Sequence, residues 1–137
     1  MKFDIPGEPM GKQRPRVTRY GTYTPKKTVE YENWVKECYY INTDRKCLTG
    51  EIEAEMKVYM SIPKSTSKKK RQAMLEGEVR PTKRPDLDNI AKIILDSLNG
   101  IAYNDDKQVV SCKIEKWYGE VPRVEVTLEE VQDERNI

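Results

Sequence analysis

Five aspartates stand within RPDLDNIAKIILDSLNGIAYNDDKQV, residues 84–109: Asp86, Asp88, Asp96, Asp105 and Asp106. The chain contains no histidine, so histidine-activated nucleophiles and histidine-bearing zinc sites are excluded, and acid–base or metal chemistry falls to carboxylates and lysines. A DxD step, a distant DD pair and the nearby Lys92 make a hard-oxygen cluster with a mobile cation beside it. Mg2+ and Mn2+ prefer such oxygen ligands and usually share them with a substrate phosphate. Taken singly, each aspartate also has a plain structural reading. Carboxylates in a first helical turn complement the helix dipole, Asp88 and Lys92 have the spacing of a stabilising helical pair, and Asp105 and Asp106 follow Asn104 as turn residues.

The surroundings of these acids favour the joint reading. Net charge is only +2, yet residues 12–27 hold six cations (Lys12, Arg14, Arg16, Arg19, Lys26, Lys27) and no anion. Residues 64–84 hold eight cations against Glu76 and Glu78, including the run Lys68, Lys69, Lys70, Arg71 and the pair Lys83 and Arg84. From Glu115 onward, seven anions face three cations. Two basic segments flanking an acidic cluster fit a protein that meets a polyanion on one side, and nucleic acid is the expected partner. Carboxylates near a polyanion repel it unless a divalent cation reverses the local sign. On that reading the acids hold metal, the bases hold phosphate, and the two meet at the bond to be cut.

The elements that must position these residues follow from periodicity. KFDI, residues 2–5, reads as a short strand, and GEPMGKQRPRVTRYGTYTP as a basic loop punctuated by Gly and Pro. Val29, Tyr31, Trp34, Val35 and Cys38 recur at helical spacing within residues 27–42. Ile52, Ala54, Met56, Val58, Met60 and Ile62 alternate with charged residues, the pattern of a strand with one buried face. A helix capped by Ser or Thr follows Pro63. The next helix, 86–99, has Leu87, Ile90, Ala91, Ile94 and Leu98 on its expected core face and Asp88, Asn89, Lys92 and Asp96 opposite. Asp86 takes the N-cap position, Gly100 ends the helix, and Asp105 and Asp106 open the following strand. That strand carries Val110, Cys112 and Ile114, and the last carries Val124, Val126 and Leu128, with GEVP as the turn between them. The expected fold is α/β (α+β): one domain, 1–130, with helices packed on a small mixed sheet, and a frayed tail, 131–137.

Charged residues make up 35% of the chain, against roughly 25% in an average soluble protein. The core is therefore lean, and a partner subunit is plausible on that ground alone. No apolar run is long enough to span a membrane, and MKFDIPGEPMGKQRPR lacks the apolar stretch of a secretory signal. Cys38, Cys47 and Cys112 have no CxxC spacing, as expected of reduced thiols in a cytoplasmic protein.

PDLDNIAKIILDSLNG, then YNDDKQV, with the basic opening PMGKQRPR, resembles the RusA family of Holliday-junction resolvases across residues 5–128. The resemblance implies a homodimeric, Mg2+-dependent endodeoxyribonuclease, with Mn2+ as the alternative metal, that cuts four-way DNA by paired symmetric nicks in recombination and repair. It implies Asp86 and Asp88 as the first two acidic ligands, Lys92 as the catalytic lysine, and a third acid in the DD step, assigned to Asp106 with Asp105 as the alternative. Lys12, Arg14, Arg16, Arg19, Lys68, Lys69, Lys70, Arg71, Lys83 and Arg84 are the expected contacts to DNA backbone. Such a protein belongs in the cytoplasm of a bacterium or of a cell carrying a phage or prophage.

Two other classes compete. A non-catalytic branched-DNA-binding protein would use the acids only as helix caps, and a nucleotide phosphohydrolase would need a closed pocket for a base. A less specific phage-type nuclease for branched DNA is the nearest variant. No aromatic residue lies between Arg80 and Ala102, so no ring stands beside these acids to stack on opened bases; Tyr20, Tyr23 and Tyr103 are the nearest candidates for that role.

Overall fold

The computed structural model describes residues 1–131; the tail expected at 131–137 lies, beyond Val131, outside the described residues. Strand β1 (Lys2–Pro6) leads into a long basic segment that holds a small hairpin, β2 (Arg16–Thr18) and β3 (Gly21–Tyr23). Helix α1 (Lys26–Asn42) and strand β4 (Ile52–Ser61) follow, then helices α2 (Lys68–Leu75) and α3 (Leu87–Ser97). A single 3-10 turn (Asp106–Gln108) precedes the last strands, β5 (Val109–Gly119) and β6 (Arg123–Glu130). This is the expected small α+β domain. The hairpin was not foreseen, because three-residue strands without an apolar face leave no periodic signal.

The main sheet has the order β1-β6-β4-β5. β6 runs antiparallel to both β1 and β4, whereas β5 runs parallel to β4. That parallel step requires a crossover, and α2 and α3 supply it. Along β4 the inward row Ile52, Ala54, Met56, Val58 and Met60 is buried, as the alternation requires. Its partners on β6, Val124, Val126 and Leu128, share the buried face.

α3 buries Ile90, Ile93, Ile94 and Leu98 completely, each contributing about 1.5–3 kcal/mol of burial free energy. Leu87 is 37% exposed, which corrects its expected place in the core: the buried stripe is rotated toward Ile93. Val29 and Trp34 on α1 are likewise exposed, and Thr28, Tyr31, Val35, Cys38 and Tyr39 form the inner face. β5 is the sheet edge. Cys112 and Val110 are exposed there and Ile114 is only partly covered, so the apolar row of this strand has no full cover.

Candidate active site

The entry to α3 is held from three sides. Pro85 and Asp86 precede the helix, and the Lys116 ammonium of β5 donates to the carbonyl oxygens of Lys83 (2.5 Å) and Pro85 (3.0 Å). The basic segment docks from the other side through a hydrogen bond from the Lys12 amide to the Asn89 carbonyl, 2.8 Å. Gly11 permits this approach: a Cβ there would stand 3.0 Å from both Asn89 Cβ and Pro85 Cβ. The result is an open groove of about 550 Å³ lined by Lys12, Gln13, Arg14, Arg84, Asp86 and Asn89, among others.

The carboxylates at this end are not consumed by the fold. Asp86 stands at the N-cap position, yet its side chain makes no capping hydrogen bond. Asp88 and Lys92 are both exposed, and they form no ion pair within 4.0 Å. The helix-pair reading of Asp88 therefore fails.

At the far end of α3 the chain returns through Gly100 and Tyr103. Tyr103 is fully buried, and its hydroxyl donates to the Leu95 carbonyl at 2.6 Å. Burial, then the charges of Asp106, Asp96 and Asp105, raise its pKa above the usual phenol value, so all three acids lie around it. Tyr103 is thereby removed as a ring for base stacking.

Asp105 and Asp106 do not open the strand as expected; they form its preceding turn. The Asp105 carboxylate accepts from the Lys107 amide at 2.8 Å, and the Gln108 side-chain oxygen accepts from the Asp105 and Asn104 amides. This reciprocal arrangement is a capping box. The Lys107 hydrogen bond holds the Asp105 pKa below the usual range. Asp105 is thus engaged by the backbone.

Asp106 differs. Its amide is anchored by the Asn99 side-chain oxygen at 2.7 Å, while its carboxylate meets other carboxylates. Burial, then contact with Asp96 and Asp105, raises its pKa. Asp96 in turn lies 3.6 Å from the Lys12 ammonium, which also pairs with Glu32 at 3.2 Å. Lys12 therefore serves the acidic end of α3 rather than standing free for phosphate.

The predicted acids fall into two groups, Asp86 and Asp88 at one end of α3, Asp106 at the other. Eight residues separate Asp88 from Asp96, a rise of about 12 Å along the helix. Among the described residues no three His, Cys, Asp or Glu side chains lie close enough to hold a metal together. Sequence reasoning missed Asp96 as a neighbour of Asp106, and Asn99, Gln108 and Lys116 as residues that position the site. Only Gln108 had a local signal, the D-x-x-Q spacing of a capping box.

The remaining cations point outward. Arg14, Arg16, Arg19, Lys68, Lys69, Lys70, Lys83 and Arg84 are exposed, and Arg71 is half-buried. Lys68–Arg71 form the first turn of α2, whose Ser67 cap accepts from the Lys70 amide at 3.3 Å. Cations there oppose the positive end of the helix dipole, so this surface is suited to an anion. No helix among the described residues is long and apolar enough to cross a membrane.

The chain is a small α+β domain with exposed acids on α3 between basic segments. The chain matches the family Endodeoxyribonuclease RusA over residues 6–129 and belongs to that family. It is also similar to "Uncharacterized protein YqaN" of Bacillus subtilis (strain 168), with 39% identity over 137 residues that cover 96% of each chain. Membership implies junction-resolving endodeoxyribonuclease activity.

Proposed function

We propose that the protein is a homodimeric, divalent-metal-dependent endonuclease that resolves four-way DNA in recombination and repair, and that two copies complete each active site. The observation that carries this reading is the separation of unspent carboxylates to opposite ends of one helix. Among the described residues Asp86 and Asp88 form no ion pair and Asp86 makes no capping hydrogen bond, and Asp106 is crowded by like charges; hard oxygen donors in both conditions fit Mg2+ or Mn2+. α3 carries exposed Leu87 in its first turn and contacts the edge strand β5, on which Val110 and Cys112 are exposed. Two such surfaces packed antiparallel about a two-fold axis would bring Asp86 and Asp88 of one copy beside Asp106 of the other. The symmetric interface also gives two sites of opposite sense, as paired nicking of a junction requires.

Asp86, Asp88 and Asp106 would hold the divalent cation, which when bound would stabilise charge at the attacked phosphate and activate a water. Lys92, one turn beyond Asp88 and without an ion pair among the described residues, offers a point charge to the phosphate as negative charge develops. Arg14, Arg16, Arg19, Arg84 and Lys68–Arg71 bind backbone without reading sequence. Each phosphate contact contributes about −0.9 to the slope of log K against log salt.

Mixed dimers test the reading. Asp88→Asn and Asp106→Asn homodimers should each lose Mg2+-dependent cleavage of a labelled four-way junction. A mixed dimer of the two retains one site with all its carboxylates, and should nick a single strand. A site built within one chain would leave the mixed dimer inactive. Tight junction binding with no cutting by the wild type under any divalent metal would instead favour the non-catalytic branched-DNA binder.

A further inference from the structure

The hairpin β2–β3 takes no part in the acidic centre. All six of its strand residues are exposed. Among the described residues the two most exposed large apolar side chains both belong to it, Tyr20 at 90% and Val17 at 81%. A two-stranded hairpin in water is marginal by itself, yet this one has a built tip. Thr18 pairs with Gly21 across the turn. The Thr18 hydroxyl accepts from the Tyr20 amide at 3.2 Å and donates to the Gly21 carbonyl at 3.1 Å. Arg19 and Tyr20 are thereby presented at the end of the hairpin, with the guanidinium carbon 6.0 Å from the ring centroid. The segment 12–27 that contains the hairpin carries six cations and no anion, and of these Arg14, Arg16 and Arg19 are exposed.

We infer that the β2–β3 hairpin is a pin for branched DNA: Tyr20 stacks on a base face exposed at the branch point while Arg14, Arg16 and Arg19 hold the flanking phosphates. This rests on the proposed function and adds a residue that sets its specificity. The physical reason is selective access. In linear duplex every base pair is covered on both faces, so the ring finds only backbone. At a branch point terminal base pairs expose a π face, and an aromatic side chain stacks on any base. The cations attract both kinds of DNA; only the ring distinguishes them. Tyr23, half exposed on the opposite strand of the hairpin, is set back from the tip and is not assigned this role.

The test measures binding in EDTA, so that no strand is cut, to a four-way junction carrying 2-aminopurine beside the branch point and to linear duplex of equal length. Tyr20→Ala should weaken junction binding about tenfold, the effect of losing one base–aromatic stack, and change duplex binding less than about twofold. The 2-aminopurine signal seen with wild type should disappear, Tyr20→Trp should restore both, and the thermal midpoint should not move, because the ring touches no core residue. A wild type that prefers the junction while Tyr20→Ala prefers it equally overturns the inference alone. A wild type that binds both DNAs alike overturns junction recognition itself, and the pin with it.

Discussion

The two ends of α3 carry the same kind of side chain in opposite electrostatic settings. At its beginning, Asp86 and Asp88 stand at the positive end of the helix dipole, in or beside a groove lined by Arg14 and Arg84. Carboxylates are favoured there without further help. At its end, Asp96 and Asp106 meet each other near the negative end of the dipole, and among the described residues the Lys12 ammonium pairs with Asp96. The first pair is comfortable and idle; the second is uncomfortable, and the Asp106 amide is held by the Asn99 side chain. A site that needs a cation is recognised at the second end by strain among its charges, and at the first by carboxylates that the fold does not use.

The largest expected effect comes from removing one oxygen donor at either end. Asp88→Asn and Asp106→Asn should each lower Mg2+-dependent junction cleavage by about 10²-fold or more, near 2.7 kcal/mol of transition-state stabilisation. Asp105→Asn should fall much less, because its carboxylate is engaged by the Lys107 amide. Single-turnover rates on a labelled junction check this; equal losses at Asp105 and Asp106 would erase the distinction drawn between them.

The docking of the basic segment on the beginning of α3 gives the next effect. Gly11→Ala adds a methyl 3.0 Å from Asn89 and Pro85 side-chain carbons, and such overpacking costs about 1–3 kcal/mol. A lowered urea midpoint is expected, whereas Gly100→Ala at the other end meets no neighbour within 4 Å and suffers only from its positive φ of 73°. An unchanged midpoint for Gly11→Ala would mean that the segment gives way instead of bearing on α3.

Lys12→Ala should cost about 0.2–1 kcal/mol, since both of its ion pairs are partly solvated. It should also bring Asp96 and Asp106 into stronger repulsion, so that Mg2+ raises the melting temperature more than in the wild type. An identical Mg2+ response in thermal melts would place Lys12 outside the acidic centre.

The smallest effect is one of pH. The folded-state pKa of Asp106 is raised by burial and by Asp96 and Asp105. Its protonated form therefore favours the fold, and that contribution is lost as pH rises through the raised value. In metal-free buffer Asp106→Asn should be the more stable protein at neutral pH, by no more than about half a kcal/mol given its solvent screening, with the difference vanishing at low pH. A wild type more stable than Asp106→Asn at neutral pH would reverse the sign assigned to this carboxylate.

The helices and the strands of the main sheet, the buried faces of β4 and β6, the Ser or Thr cap of α2 and the family motif were legible along the chain, whereas α3 ends at Ser97, short of the stop expected at Gly100. The legible features depend on periods and caps within a dozen residues, and those are local physics. Other features depended on how distant segments close on one another. Leu87 has the helical spacing of a core residue and is nevertheless exposed, because the rotation of α3 is set by the sheet beneath it. Asp96 lies away from Asp88 on its own helix and becomes a neighbour of Asp106 only because the return through Tyr103 ends against the last turn. Lys12 belongs to a basic run by composition and to an acidic centre by position. Sequence alone marked candidate side chains for the chemistry; the closure of the loops around α3 decided which of them meet, because proximity between residues far apart in the chain is a property of register and packing and of no single segment.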